Sequence, residues 1–424
     1  MALSFTIRFS LQVYNLIWLL AIPFLYFNHR LREGFGERLF KDRQPGPTDF
    51  WIHAASVGEA FLALELLKGL DPEILQSMLI TTNTSQGFDI LTKNLKEPSD
   101  KLKKTPAIRY CPFDKPSIIN KAVNNIRPRI IVLLETELWP GLLMASKKYG
   151  AKVLVINGRM GDKSLKQYLL WPGLWKALSP DRVLAMSKQD CQRFATLFGK
   201  NVVAQMNNIK FDRIAAHEPV EPKQNPLTRI VPGGSKFLVF GSIRQEEEEQ
   251  IKPALEKILI KHPEIIVGLF PRHMHRLSSW QKYLDSLGLL WILRSEVQNS
   301  TEPIRVILWD TFGELTNAYE LADLVFIGGS LAPLGGQNFL EPLICGVVPM
   351  TGRSWYNFAW VGREIVEQGL LREINDWQEL VDSVGHLIEA PNKRNSVRQQ
   401  AQAFIKEKQG GTKQACQEIA KHLK

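Results

Sequence analysis

The sequence predicts an α/β protein built from two doubly wound domains, each a parallel sheet with helices on both faces. Three observations carry this. Strand-like runs alternate with helical ones along most of the chain. The run ending at Leu134 and the run Leu324 to Ile327 are continuously apolar, as strands covered on both faces are. The alternation also stops once, over residues 217–234 (HEPVEPKQNPLTRIVPGG), where four prolines and no hydrophobic period mark a linker. At 424 residues, 45% hydrophobic and 23% charged, the chain is long enough for two domains of about 150–200 residues.

The amino terminus differs from the rest. Leu11 to Phe27 carries no charge, and His29, Arg30, Arg32, Arg38, Lys41 and Arg43 follow it. Seventeen residues lie at the short end for a bilayer span, at about 1.5 Å per residue against about 30 Å of hydrocarbon. Residues 1–28 are therefore expected to form an uncleaved membrane anchor, its basic flank on the cytoplasmic side. A buried first helix is the competing reading, favoured by Pro23. No small-residue cleavage site follows, which argues against a signal peptide.

Residues 29–216 then form the first α/β domain. Strands are expected at 50–54, 78–82, 129–134, 152–156 and 182–186, with helices at 59–70, 142–149 and 188–198. After the linker, residues 235–394 form the second domain, with strands at 237–240, 265–270, 290–293, 306–308, 324–327 and 347–350 and a helix at 246–260. The tail 395–424 reads as a polar helix that packs back on the first domain. Two such sheets imply a cleft between them, with ligands bound beyond the strands' carboxyl ends.

The formal charge of +10 and pI near 9.3 point to anionic partners: phosphorylated substrates or an anionic membrane surface. Without an arginine-rich tract or aromatic RNA-binding motif, no nucleic-acid partner is expected. Cys111, Cys191, Cys345 and Cys416 are scattered and read as reduced thiols. Metal-ligand spacings are missing, as are the Walker and dinucleotide fingerprints, so no metal or cofactor is expected, and neither ATP hydrolysis nor hydride transfer.

Chemistry is sought at the strand exits. His53-Ala54-Ala55-Ser56-Val57-Gly58-Glu59 leaves a strand and enters a helix. Ser56 and Glu59 have the spacing of a capping box, and Glu59 is equally a carboxylate at the strand exit, available as a general base. Glu135-Thr136-Glu137 follows a fully apolar strand, either as helix-start acids favoured by the dipole or as site acids. Lys210 precedes the linker and is placed to meet an anion.

In the second domain the exits carry Ser242, Arg272-His273, Gly313-Glu314-Leu315, Gly328-Gly329-Ser330 and Gly335-Gly336-Gln337-Asn338-Phe339-Leu340-Glu341. Glycines at a strand end let backbone N–H groups approach a phosphate, and the helix that follows points its positive end at the same anion. Glu341, one turn in, is an acceptor for a ribose diol. Phosphate groove and diol acceptor together describe a nucleotide-sugar site. The acidic run Glu246 to Glu249 reads as a solvated helix start.

Taken in order, GFGERL from Gly34, HAASVGE ending at Glu59, ETELWP from Glu135, NGRM from Asn157, IKFD from Ile209, GSI from Gly241, PRH from Pro271, DTFGEL from Asp310, GGSL from Gly328 and GGQNFLEP from Gly335 resemble the bacterial 3-deoxy-D-manno-octulosonic acid (Kdo) transferases of lipopolysaccharide synthesis. The resemblance implies a GT-B fold with a membrane-proximal amino terminus at the bacterial inner membrane. It implies inverting, metal-independent transfer of Kdo from CMP-Kdo onto the lipid A precursor (lipid IVA). Glu59 would be the base, with Glu135 and Lys210 in support and Ser56 and Gly58 facing the acceptor. Ser242, Arg272, His273, Gly313, Glu314, Leu315, Asn338, Phe339, Leu340 and Glu341 would hold CMP-Kdo. The chain departs from the family pattern at Gln337, Asn207 and Met274-His275-Arg276. A lipid A disaccharide synthase, a UDP-sugar epimerase and a catalytically silent scaffold are the alternative readings.

Overall fold

The computed structural model describes residues 5–42, 45–72, 77–96, 105–214, 224–231, 235–299, 304–390 and 393–423. The chain forms two compact units, Met1–Ile214 with Lys408–Lys424, and Ala215–Glu407.

The first unit holds β1 (Phe50–His53), β2 (Met78–Thr82), β3 (Ala107–Tyr110), β4 (Ile130–Leu134), β5 (Lys152–Gly158), β6 (Arg182–Ala185) and β7 (Val203–Gln205). They pair in the order β3-β2-β1-β4-β5-β6-β7, every pair parallel. Successive side chains of a strand point to opposite faces. Phe50 and Ile52 accordingly enter one apolar layer with Leu62, Leu66 and Val132, and Trp51 enters the other with Ile131, Leu142 and Phe194. Every residue of β1, β2 and β4 is buried, and burial on both faces is what makes β4 continuously apolar, while β1 ends in His53 and β2 in Thr81-Thr82. The edge strands β3 and β7 are short and only partly buried, and neither shows in the sequence pattern.

The second unit holds β8 (Lys236–Ile243), β9 (Ile265–Pro271), β10 (Trp291–Leu293), β11 (Val306–Leu308), β12 (Leu324–Ile327), β13 (Met350–Gly352) and β14 (Arg372–Ile374). Their order is β10-β11-β9-β8-β12-β13-β14, again parallel throughout. In the first sheet the winding reverses between β1 and β4; in the second β11 is inserted between β9 and β10, and the central reversal lies between β8 and β12. Connections leave on opposite sides there, and a crevice opens above the strand ends.

Several expectations need correction. No helix among the described residues is long and apolar enough to cross a membrane, so the span expected within residues 1–28 is not supported. The helix Phe5–Leu25 carries Arg8, Ser10, Gln12 and Asn15 in its first half and Pro23 near its end. It docks on the first unit instead: Trp18 packs on Phe113 at 5.7 Å, and the Tyr14 hydroxyl donates to Asp114 at 3.0 Å. Leu16, Ile17, Leu20 and Phe24 remain exposed. Arg38, counted with the basic flank, is buried; it donates to the Asn83 carbonyl at 2.8 Å and lies over the Tyr110 ring.

The tail 395–424 is two helices, not one, broken at Gly410 (φ 101°). The first, Arg394–Lys408, is fixed to the second unit by Arg398, which reaches Glu320 at 3.1 Å. The second, Gly411–Leu423, adds Ala415, Cys416 and Ile419 to the first unit's core. Asp212 caps it, accepting from the amides of Gly410 and Thr412 at 2.6 Å.

Of the linker 217–234, residues 217–223 and 232–234 lie outside the described residues. Pro226–Arg229 is a short 3-10 turn with Leu227 buried, tied to the second unit by Asn225, which donates to the Asn317 carbonyl at 2.8 Å.

Candidate active site

The reversal between β1 and β4 places two of the expected acids. Glu59 lies in the first turn of the helix Val57–Gly69 that leaves β1. Its carboxylate accepts from the Ala55 amide at 2.6 Å and the Ser56 hydroxyl at 3.1 Å, while Ser56 Oγ accepts from the Glu59 amide at 3.4 Å. The capping geometry is therefore present, and it aims the carboxylate back over the end of β1. Burial, with only 6% of the residue exposed, and then the neighbouring Glu137 push its pKa up to about 7, Glu135 adding to the effect. A buried carboxylate poised near neutrality suits a general base. The surface beside it is open: a Cβ at Gly58 would meet only the Ser56 hydroxyl, at 3.9 Å.

Glu135 follows β4 directly, with a left-handed backbone (φ 55°). A non-glycine residue held there is strained by roughly 1–3 kcal/mol, and such strain gathers at functional sites. The conformation turns the carboxylate between two cations, Lys210 Nζ at 2.8 Å and Arg159 Nε at 3.0 Å. Lys210 is delivered by a second left-handed residue. Asn157 (φ 57°) leaves β5 and its side-chain oxygen accepts from the Ile209 amide at 3.0 Å, seating the short helix Ile209–Asp212. Four distant segments of sequence thus converge on one cluster.

Two further members join the cluster: Glu137, which the sequence offered as a possible site acid beside Glu135, and His53, which it left without a role. Glu137 is mostly buried; its carboxylate accepts from the Trp139 indole at 2.8 Å and lies 3.7 Å from His53 Nε2. His53, at the end of β1, is fully buried, with Thr81 Oγ1 against Nδ1 at 3.0 Å. Burial opposes the imidazolium, but Cys111 and Glu137 lift His53 well above its usual range. His53 and Trp139 in turn outweigh burial at Glu137 and hold it below the normal carboxylate range. Glu137 was visible as the second acid of Glu135-Thr136-Glu137. Which of the two acids the turn delivers to Lys210 depends on the left-handed residue 135, which spacing does not reveal.

In the second unit the reversal lies between β8 and β12. Ser242 also has a left-handed backbone (φ 59°), at the bulge where β8 slips register against β9. Past β9, Arg272 and His273 are exposed; slight desolvation, then Arg244, His275 and Arg272, hold His273 below its usual range. Asn338 donates to Glu341 at 2.8 Å. Burial raises Glu341, opposed by Asn338 and by the nearby positive charge of Arg272. Arg272, Asn338 and Glu341 therefore form one polar group at this end of the sheet.

Other expected donor residues are placed differently. The Phe339 and Leu340 side chains are buried, Phe339 against Trp355 and Phe358. The Glu314 carboxylate is fully engaged, gripped by Arg294 at 2.7 and 2.8 Å and accepting from Trp309 and Thr311. What this loop presents is its backbone: Gly313 (φ 88°), with open space around it, and the start of the helix Leu315–Leu321.

The largest departure concerns Gly328-Gly329-Ser330, expected to leave its amides to a phosphate. The amides of Gly329, Ser330 and Leu331 all donate to Glu247, at 2.6, 3.1 and 3.3 Å. Glu247 and Glu248 are buried, contrary to a solvated acidic run. Glu248 pairs with Arg276 at 2.6 Å. Glycine adopts φ 69° at 329 without strain, and the turn's amides serve an internal anion.

The family of 3-deoxy-D-manno-octulosonic-acid transferases (kdotransferases) matches this chain over residues 29–213. A 3-deoxy-D-manno-octulosonic acid transferase of Haemophilus influenzae is 29% identical over 374 residues, covering 86% of this chain and 84% of its own. A bifunctional glycosyltransferase/methyltransferase of Fusobacterium nucleatum is also 29% identical, over 400 residues and 91% of this chain; the chain spans 60% of that protein's length. Among solved structures, a glycosyltransferase from Rickettsia africae superposes with a TM-score of 0.56 at 14% identity, covering 89% of this chain and 98% of its own. That likeness concerns the fold, which is of the GT-B kind. With the sequence matches running through both units, the chain is similar in sequence to the Kdo transferases and similar in fold to a glycosyltransferase.

Proposed function

We propose that the protein moves Kdo from CMP-Kdo onto a hydroxyl of a phosphorylated, acylated glucosamine disaccharide, the lipid A precursor lipid IVA, and releases CMP. The observation that carries this is Glu59, a buried carboxylate with a pKa of about 7 at the reversal of the first sheet. In this reading the acceptor oxygen attacks the anomeric carbon, its proton passes to Glu59, and the bond to the CMP phosphate breaks. A single displacement of this kind inverts the anomeric centre.

Positive charge developing on the sugar is met by the carboxylates Glu135 and Glu137. Negative charge developing on the phosphate is met by Arg272 and by backbone amides at the second unit's strand ends. Asn338 and Glu341 accept the ribose hydroxyls. No metal is assigned a part in these steps.

The exposed Leu16, Ile17, Leu20 and Phe24, followed by His29, Arg30 and Arg32, support an amino-terminal helix lying in an anionic membrane surface rather than crossing it. We assign that surface to the cytoplasmic face of the bacterial inner membrane, where CMP-Kdo and the acceptor meet.

The test is product mass after incubation with CMP-Kdo and lipid IVA, beside a parallel incubation with UDP-GlcNAc. A mass increase of one or more Kdo units with CMP-Kdo alone is expected. Turnover of UDP-GlcNAc only would transfer the assignment to the disaccharide synthases or epimerases.

A further inference from the structure

Outside the carboxylate cluster, the first unit carries a second feature that the proposed chemistry does not use. Between the helices Asp162–Tyr168 and Pro172–Ala177 the chain exposes three consecutive apolar residues, Leu169 at 38%, Leu170 at 75% and Trp171 at 55%. This is not a poorly packed turn. Leu165, Tyr168 and Leu174 pack against the core and Trp175 is buried in it, with Tyr168 edge-on to Trp175 at 4.6 Å. The apolar residues that anchor the hairpin face inward, and Leu169 to Trp171 are surplus to that anchoring. Contiguous exposed apolar surface of this kind marks a binding site.

The neighbouring charge is of one sign. Lys163, Lys166, Gln167 and Leu170 line an open recess of about 400 Å³, and Lys176, on the second helix of the hairpin, is exposed as well. Neither Lys163 nor Lys166 has an ion-pair partner among the described residues. The nearby acid, Asp162, is taken by Arg193 at 2.7 Å. The surface therefore combines an apolar tip with uncompensated positive charge, the complement of an amphiphile that has an anionic head.

It is also continuous with the reacting groups. The same segment begins at Arg159, which pairs with Glu135 at 3.0 Å, and Tyr168 is close enough to Glu137 to feel its charge.

We propose that residues 159–176 form the docking surface for the acyl-bearing, phosphorylated end of the acceptor. Leu169, Leu170 and Trp171 receive acyl chain, and Lys163 and Lys166 receive the adjacent phosphate. This rests on the lipid-acceptor reading above and extends it by saying where the lipid is held.

The test uses the full chain and fluorescence anisotropy with labelled lipid IVA in detergent micelles, beside its deacylated disaccharide bisphosphate. The double variant Leu170→Ser/Trp171→Ser is expected to weaken lipid IVA binding at least tenfold and to leave the deacylated ligand within twofold. Lys163→Glu/Lys166→Glu is expected to weaken both ligands, and Lys163→Arg/Lys166→Arg to retain both. CMP affinity and melting temperature report the fold. Lipid IVA affinity unchanged in both the serine and the glutamate variants overturns the proposal. So does loss of binding only to phosphatidylglycerol vesicles, which would make the tip a bilayer contact. A concentration-dependent dimer abolished by the serine variant, with lipid IVA affinity unchanged, overturns it in favour of a second copy of the chain. Binding is read without transfer, so the two readings fail separately. A parent that binds lipid IVA through these residues but transfers no Kdo upholds the surface and sinks the function.

Discussion

Tyr14 and Asp114, one hundred residues apart, are joined by a 3.0 Å hydrogen bond from the phenol to the carboxylate. The same carboxylate accepts from the amides of Gly141 and Leu142 at 2.7 Å, capping the helix Pro140–Tyr149. That helix begins one residue after Trp139, whose indole holds Glu137. The amino-terminal helix is thus coupled to the acid cluster through a single buried carboxyl group.

Burial raises Asp114 to about 7, against the stabilising effect of its three donors. An acid whose folded pKa is raised contributes stability at low pH that is lost as pH rises through the folded value. Stability linked to Asp114 should therefore fall between about pH 4 and pH 7. Tyr14→Phe removes one donor to the ionised form and should cost about 1–3 kcal/mol at pH 8 and less at pH 5. Urea unfolding at the two pH values measures this; an equal loss at both would place the tyrosine's contribution in packing instead.

Glu59→Gln separates cap from base. The amide still accepts from Ala55, so a purely structural role predicts near-parental turnover. Loss of a base predicts a fall of roughly 10²–10⁴ in kcat. Glu59 is also raised, so neutralising it should increase stability above pH 7, on the order of 1–3 kcal/mol, with the gain vanishing near pH 4.5. A Kdo-transfer assay beside thermal melts reads both, and turnover within a few-fold of the parent returns Glu59 to the capping box.

Glu137→Gln removes the neighbouring charge that most raises Glu59. In the parent, kcat/KM should fall tenfold per unit below about pH 7. In the variant that acid limb should move to lower pH while CMP affinity stays unchanged. An unmoved limb in the variant would show that the two carboxylates do not interact during turnover.

Arg272→Ala and Glu341→Ala should each weaken CMP binding tenfold to a hundredfold, the loss of a charge-assisted hydrogen bond at about 1.5–3 kcal/mol. Glu314→Gln should instead lower the melting temperature, because its carboxylate braces Arg294, Trp309 and Thr311. Calorimetric titration with CMP distinguishes them, and parental affinity in both alanine variants moves the nucleotide elsewhere.

Vesicle binding tests the first helix. Co-sedimentation with phosphatidylglycerol vesicles should fall when Leu20 and Phe24 are both changed to Ser, and should weaken with salt. Binding that ignores both changes would leave the exposed apolar face without a membrane role.

The sheets were legible in the sequence because β4, β9 and β12 are buried on both faces and carry only apolar residues between polar turns, and β1 is apolar up to His53. The acids Glu59 and Glu135 were legible because they stand where those runs end. What the pattern hid was side-chain direction. Glu247 and Glu248 look like any acidic helix start, and only the fold turns them inward. Phe339 and Leu340 sit inside a glycine-rich motif, yet their side chains serve the core. The first helix looked like a span because its charge was counted and its serine, glutamine and asparagine were not.

Glu247 has a consequence for the catalytic cycle. By occupying the amides of Gly329, Ser330 and Leu331 with a carboxylate of its own, the protein carries a resident counter-anion in a turn of the sort that elsewhere waits for phosphate. Its shape is set at folding, before any donor arrives, and nucleotide binding need not order it. In the proposed reaction, departure of CMP would likewise leave it standing, so each new donor would meet a rim ready-made.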